Sequence, residues 1–124
     1  MKDRNIISFG VTAIFFAILF GAFGAHGLKA YIESEKLVTF EVGVRYQMYH
    51  GLALILLGII QKNYLIDMRN VAMSFLGGIL LFSFNCYFYV LSSVKIFAMI
   101  VPLGGLLYLL GWLMLFLKLR RIPA

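Results

Sequence analysis

Charge is scarce in this sequence. Only 13% of its 124 residues are charged, 63% are hydrophobic, and the mean hydropathy is +0.97. Soluble domains are about 25% charged and about 45–50% apolar, so a water-soluble fold of this size lacks the polar surface to cover its apolar residues. A lone cysteine, Cys86, excludes an intrachain disulfide and, within an apolar run, reads as a small buried hydrophobe. Alternation of apolar and polar residues is missing from runs such as Ala13-Ile14-Phe15-Phe16-Ala17-Ile18-Leu19-Phe20, which excludes the strands of a membrane β-barrel. Paired spacing of the His-Glu-x-x-His kind is absent, and no serine, cysteine or carboxylate stands beside a histidine in a catalytic motif. The net charge of +6 comes from basic residues scattered at segment ends, so it is no nucleic-acid footprint. With no internal repeat, the inverted-repeat architecture of a secondary transporter is not indicated.

Four apolar stretches remain, at about 6–25, 42–61, 71–91 and 96–117. Crossing a hydrocarbon core takes roughly 17–25 helical residues, and each stretch is long enough. The expected fold is an all-α membrane protein, a compact bundle of four transmembrane helices forming one domain over 1–124. Lys2 and Arg4 before the first run resemble a secretory signal, but the run is long for a signal's core and is read as a span. Ser34 is the expected N-cap of a helix that continues into the second span, because no Pro or Gly interrupts it before Gly43. Residues 63–70 and Ser92-Ser93-Val94-Lys95 supply short connections.

Four spans place both termini and the 63–70 loop on one side. That side holds seven basic and two acidic residues, net +5, and the other holds four basic and three acidic, net +1. Positive loops stay inside, so the termini are expected in the cytoplasm.

Small residues indicate where helices meet. Ala13, Ala17, Gly21 and Ala25 fall four apart on the first span, Ser74 and Gly78 on the third, and Gly104 and Gly111 seven apart on the fourth. Such ridges let backbones approach in lipid, where little hydrophobic force draws helices together. They suit a tight core, or otherwise a homo-oligomer seam. Pro102 removes a backbone hydrogen bond, and with Gly104 and Gly105 behind it a kink or local unwinding is expected there.

The polar residues concentrate in Glu41-Val42-Gly43-Val44-Arg45-Tyr46-Gln47-Met48-Tyr49-His50. Polar groups at membrane depth are costly and face the bundle interior, a cavity or each other. Taking the second span to begin near Val44, Arg45 lies near the outer interface, with His26, Asn85 and Tyr87 also in the outer half. Arg45, Tyr46 and His50 are expected to converge with His26, with Glu41 or a bound anion offsetting the arginine.

The runs Gly21-Ala22-Phe23-Gly24-Ala25-His26-Gly27-Leu28, Arg45-Tyr46-Gln47-Met48-Tyr49-His50, Pro102-Leu103-Gly104-Gly105 and Gly111-Trp112-Leu113 resemble the YgdD-like membrane proteins, small four-span proteins of unknown function. The family's Phe-Ser-Gly-Ser-Leu-Tyr run reads Phe82-Ser83-Phe84-Asn85-Cys86-Tyr87 here, matching at Phe, Ser and Tyr. The resemblance implies a bacterial inner-membrane location and the same four-helix architecture, and supplies no activity.

Two uses of the polar set follow. His26, Glu41, Arg45, Tyr46, Gln47, His50, Asn85 and Tyr87 form a structural clasp between helices, or they hold a membrane lipid or a membrane-protein partner. A metal-binding or small-molecule transport component is the alternative, with His26 and His50 as ligands together with Glu41 or Cys86. No catalytic residue, cofactor or nucleic-acid partner is indicated. For the topology, a phosphatase fused after Ala124 is expected to be inactive and a fluorescent protein there bright; an active phosphatase fusion would reverse the orientation.

Overall fold

The computed structural model describes residues 1–124. Helix α1 spans Asp3–His26 and is followed by a 3-10 turn at Leu28–Ala30; α2 spans Ser34–Tyr64, α3 Arg69–Ser92 and α4 Lys95–Leu119. All four are long and apolar enough to cross a membrane, and no strand is present. Large apolar side chains such as Phe15, Ile18, Leu106, Leu109 and Phe116 point outward, as expected where lipid is the solvent. Ser8 and Thr12 face outward too, and each hydroxyl donates to the carbonyl four residues back, at 2.8 Å, so neither needs water.

Successive helices run antiparallel, and their roles differ. In their apolar windows α2 and α3 are 44% and 56% buried, against 17% and 22% for α1 and α4. Thus α2 and α3 form a central pair, with α1 laid against α2 and α4 against α3. A core of Ile6, Leu54, Leu57, Met68, Val71, Phe75 and Leu115 fills the end near the termini. A smaller cluster of Leu28, Phe40, Tyr87 and Val90 fills the opposite end.

Glycine sets how closely these helices approach. A Cβ added at Gly10 would stand 2.5 Å from the Gly51 carbonyl oxygen, and one at Gly51 would stand 2.8 Å from Ile14. Gly24 makes room for the Phe40 ring, and Gly43 lies against Cys86 and Tyr87. The contact stripe of α1 is therefore Ile6, Gly10, Ala17 and Gly24, which are buried. Ala13 and Gly21 lie at its margin and Ala25 is exposed, so the four-residue ridge read from the sequence runs off the contact. The reason is period: contacts between nearly antiparallel helices recur every seven residues, and a strict four-residue row drifts around the cylinder.

Two other local expectations are corrected. Ser34 is the first helical residue and Glu33 the cap, with no side-chain capping bond, because the backbone turns out of extended geometry at 33. Of the kink or unwinding expected at Pro102, the unwinding does not occur, since α4 is continuous there. The irregularity lies in the facing helix instead, where Ile79–Ser83 form a π-helical turn. A π turn inserts an extra residue into the α-helical repeat. Asn85 serves this turn: its Nδ2 donates to the Leu80 and Leu81 carbonyls, both at 3.1 Å. Gly104 packs directly on that backbone, where a Cβ would overlap the Phe82 nitrogen and stand 2.5 Å from the Leu81 carbonyl carbon.

Backbone cannot yield as a side chain does. Gly104→Ala is expected to destabilise the fold by about 1–3 kcal/mol, the usual cost of overpacking. Gly105→Ala, whose Cβ would meet only the Phe82 ring at 3.7 Å, is expected to be neutral. Thermal unfolding in detergent checks the pair.

Candidate functional site

The polar stretch of α2 divides among three faces. Gln47 points between α1 and α3: its Nε2 donates to the Ala13 carbonyl at 2.8 Å, and its Oε1 accepts from the Tyr87 hydroxyl at 2.7 Å. One buried amide thereby joins three helices. Tyr87 is further enclosed by Phe20, Phe40 and Phe84.

His50 points at α4. Its Nδ1 lies 2.7 Å from the Tyr46 carbonyl and its Nε2 3.0 Å from the Trp112 indole Nε1. A carbonyl only accepts and an indole N–H only donates, which assigns the neutral ring with its proton on Nδ1. Both ring nitrogens are then engaged, leaving neither free for a metal or a substrate proton. The imidazole stacks on Tyr108 with 3.6 Å between ring centroids and 8° between planes, and Phe75 meets it edge-on. The Tyr108 hydroxyl lies 3.2 Å from the Ser83 hydroxyl, and Ser74 Oγ donates to the Leu107 carbonyl at 2.6 Å.

On the side open to lipid, these rings line a cleft of about 390 Å³ between α2 and α4. Tyr46, His50 and Phe82 form one wall, and Pro102, Gly105, Tyr108 and Trp112 much of the other. Tyr46 is half exposed in it, its ring packed on Phe82 at 4.7 Å. No charged side chain lines the cleft.

His26 and Arg45 do not join His50. Gly21 of α1 faces Val44 and Gly51 faces Ile14, so His50 lies near the level of Ile14. His26 is twelve residues further along α1, about 18 Å away at 1.5 Å per residue. It is exposed at the end of the helix. That separation also prevents the two histidines from sharing an ion. Arg45 points outward from α2 with its side chain 62% exposed, and a guanidinium nitrogen lies 3.9 Å from a Glu41 carboxylate oxygen. Asn85 supports the π turn and takes no part in the cleft. His50 thus stands midway along α1 and α2, and His26 at the far end of α1.

Sequence reasoning missed Tyr108, Phe82 and Trp112 as neighbours of His50. The signal available was the single Trp within an apolar span, since an indole N–H away from water needs an acceptor. It also missed Gln61, whose Nε2 donates to the Met1 carbonyl at 2.8 Å and to Asp3 Oδ1 at 2.6 Å. Its Oε1 accepts from the Met68 N–H at 2.8 Å, tying the start of α1 to the entry of α3.

Four apolar helices joined by buried amide and imidazole bonds, with lipid-facing surfaces free of charge except at Glu41 and Arg45, define a small polytopic membrane protein. Residues 20–105 match the family described as "Protein of unknown function (DUF423)", and the chain belongs to that family. It is 39% identical over 112 residues to a UPF0382 membrane protein of Staphylococcus aureus, covering 90% of this chain and 92% of that one. A UPF0382 membrane protein of Staphylococcus saprophyticus is also 39% identical, over 119 residues covering 96% and 99%. One of Staphylococcus haemolyticus is 37% identical over 115 residues, covering 93% and 94%. No solved structure matches the chain.

Gln47→Leu is expected to cost about 1–3 kcal/mol, because it strands the buried Tyr87 hydroxyl without a partner. Arg45→Ala, at an exposed pair, is expected to cost under about 1 kcal/mol. Thermal unfolding in detergent compares them; equal losses would mean that Gln47 is not the clasp.

Proposed function

We propose that this chain is a non-enzymatic plasma-membrane protein that binds the apolar part of a membrane lipid in the cleft between α2 and α4. Gln47 and His50 act as the clasps that keep the cleft's shape. The observation that carries this reading is the cleft's lining: aromatic rings and leucines, open to the bilayer, with a single half-exposed phenol at Tyr46. Such a surface suits an acyl or isoprenoid chain and offers nothing to an anion. Bonding at both His50 nitrogens speaks against acid–base work by that ring. The charge split of the loops supports placing the termini in the cytoplasm.

Gly105 gives access to a clean test, because a side chain there projects into the cleft without meeting backbone. Gly105→Leu is expected to strip co-purifying lipid, read by native mass spectrometry, with little change in thermal midpoint. Lipid retained at the wild-type ratio would remove the cleft as the site.

A further inference from the structure

Arg45 is the only charged residue inside the four apolar stretches. It is level with Phe20, because Gly21 faces Val44. That is six residues, about 9 Å, inside the His26 end of α1. Its side chain nevertheless faces away from every other helix and touches only Glu41, loosely, at 3.9 Å. A guanidinium carries five N–H donors, so most of this one is unpartnered within an apolar stretch.

The surface around it is patterned. Val38, Arg45, Leu52 and Ile59 repeat every seven residues along α2, with Tyr49 and Leu56 between them, and all six are exposed. Alternating steps of three and four make the seam along which two helices wind together. The exposed face of α4, by contrast, carries no charge along its apolar length.

We propose that this face of α2 is the interface between two copies of the chain, related by a two-fold axis along the membrane normal. Copies inserted with one orientation present parallel α2 helices. Side chains lean toward a helix's N-terminus, which brings Arg45 of one copy to the level of Glu41 in the other. The two-fold repeats that contact, so two loose intrahelical pairs become a closed ring of four charges, shielded from lipid by Val38 and Tyr49 of each copy. A lipid phosphate fits this patch poorly. Glu41 stands within 3.9 Å of the guanidinium and opposes an approaching anion, whereas a paired plus and minus one helical turn apart is complementary to itself.

The test is oxidative cross-linking of the full chain in native membranes. Leu52→Cys is expected to give a covalent dimer, and Leu113→Cys on α4 is not; buried Cys86 stays in both. In the Leu52→Cys background, Arg45→Glu is expected to lower the cross-linked fraction by about tenfold or more, as loss of a desolvated charge pair does. The double reversal Glu41→Arg with Arg45→Glu is expected to restore it. Thermal midpoints measured alongside identify any variant that fails to fold, and the restored double variant keeps the test decisive in that case. Cross-linking through Leu113→Cys in place of Leu52→Cys would overturn the proposal. So would a monomer in lipid nanodiscs by native mass spectrometry, including one carrying an anionic lipid that Arg45→Gln releases.

Discussion

One side-chain amide holds this fold to a single arrangement. Gln47 sits where α1, α2 and α3 come together, and both ends of its amide are bonded to other helices. In water such a group could be satisfied by solvent in any packing. In a bilayer it has no such outlet, so packings that leave it unpaired are penalised and one register is favoured. The glycines then decide how near the backbones come in that register. Gly10 and Gly51 let α1 touch α2, Gly43 lets α2 touch α3, and Gly104 lets α3 touch α4. Direction comes from the bonds, and distance comes from the missing side chains.

The division explains how the second helix can carry several polar groups within an apolar molecule. Gln47 and His50 are three residues apart and offset by only about 60° around the helix, yet that offset turns one toward α1 and α3 and the other toward α4. Tyr46 reaches the lipid-facing cleft and Arg45 the outer face. Four polar residues within six positions thus divide among three faces.

The number of spans and the all-helical class are readable directly from run length and from the lack of alternation. Gln47, His50 and Tyr87 are likewise legible as interior groups, because polarity at membrane depth demands a partner. The identity of the partner is not. Whether His50 meets His26 or Trp112 depends on the offset between helices, and that offset is set by pairs such as Gly10 with Gly51, which are far apart in sequence. The level of His50 is set the same way, because the contact of Gly51 with Gly10 and Ile14 puts it midway along α1 and far from His26. The π turn leaves no trace in composition, since Ile79-Leu80-Leu81-Phe82-Ser83 would serve equally well in an ordinary helix.

That turn divides α3 into two screws cut out of phase. Each residue of an α-helix advances the azimuth by about 100°, so the inserted residue re-aims everything beyond it. Before the turn, Ser74 and Gly78 address α4; after it, Cys86 and Tyr87 address α2. A chain lacking one residue between 79 and 83 would have a perfectly regular helix there and a Tyr87 hydroxyl aimed away from Gln47. For this stretch the length of the segment is a tighter constraint than its chemistry, and regularity would be the defect.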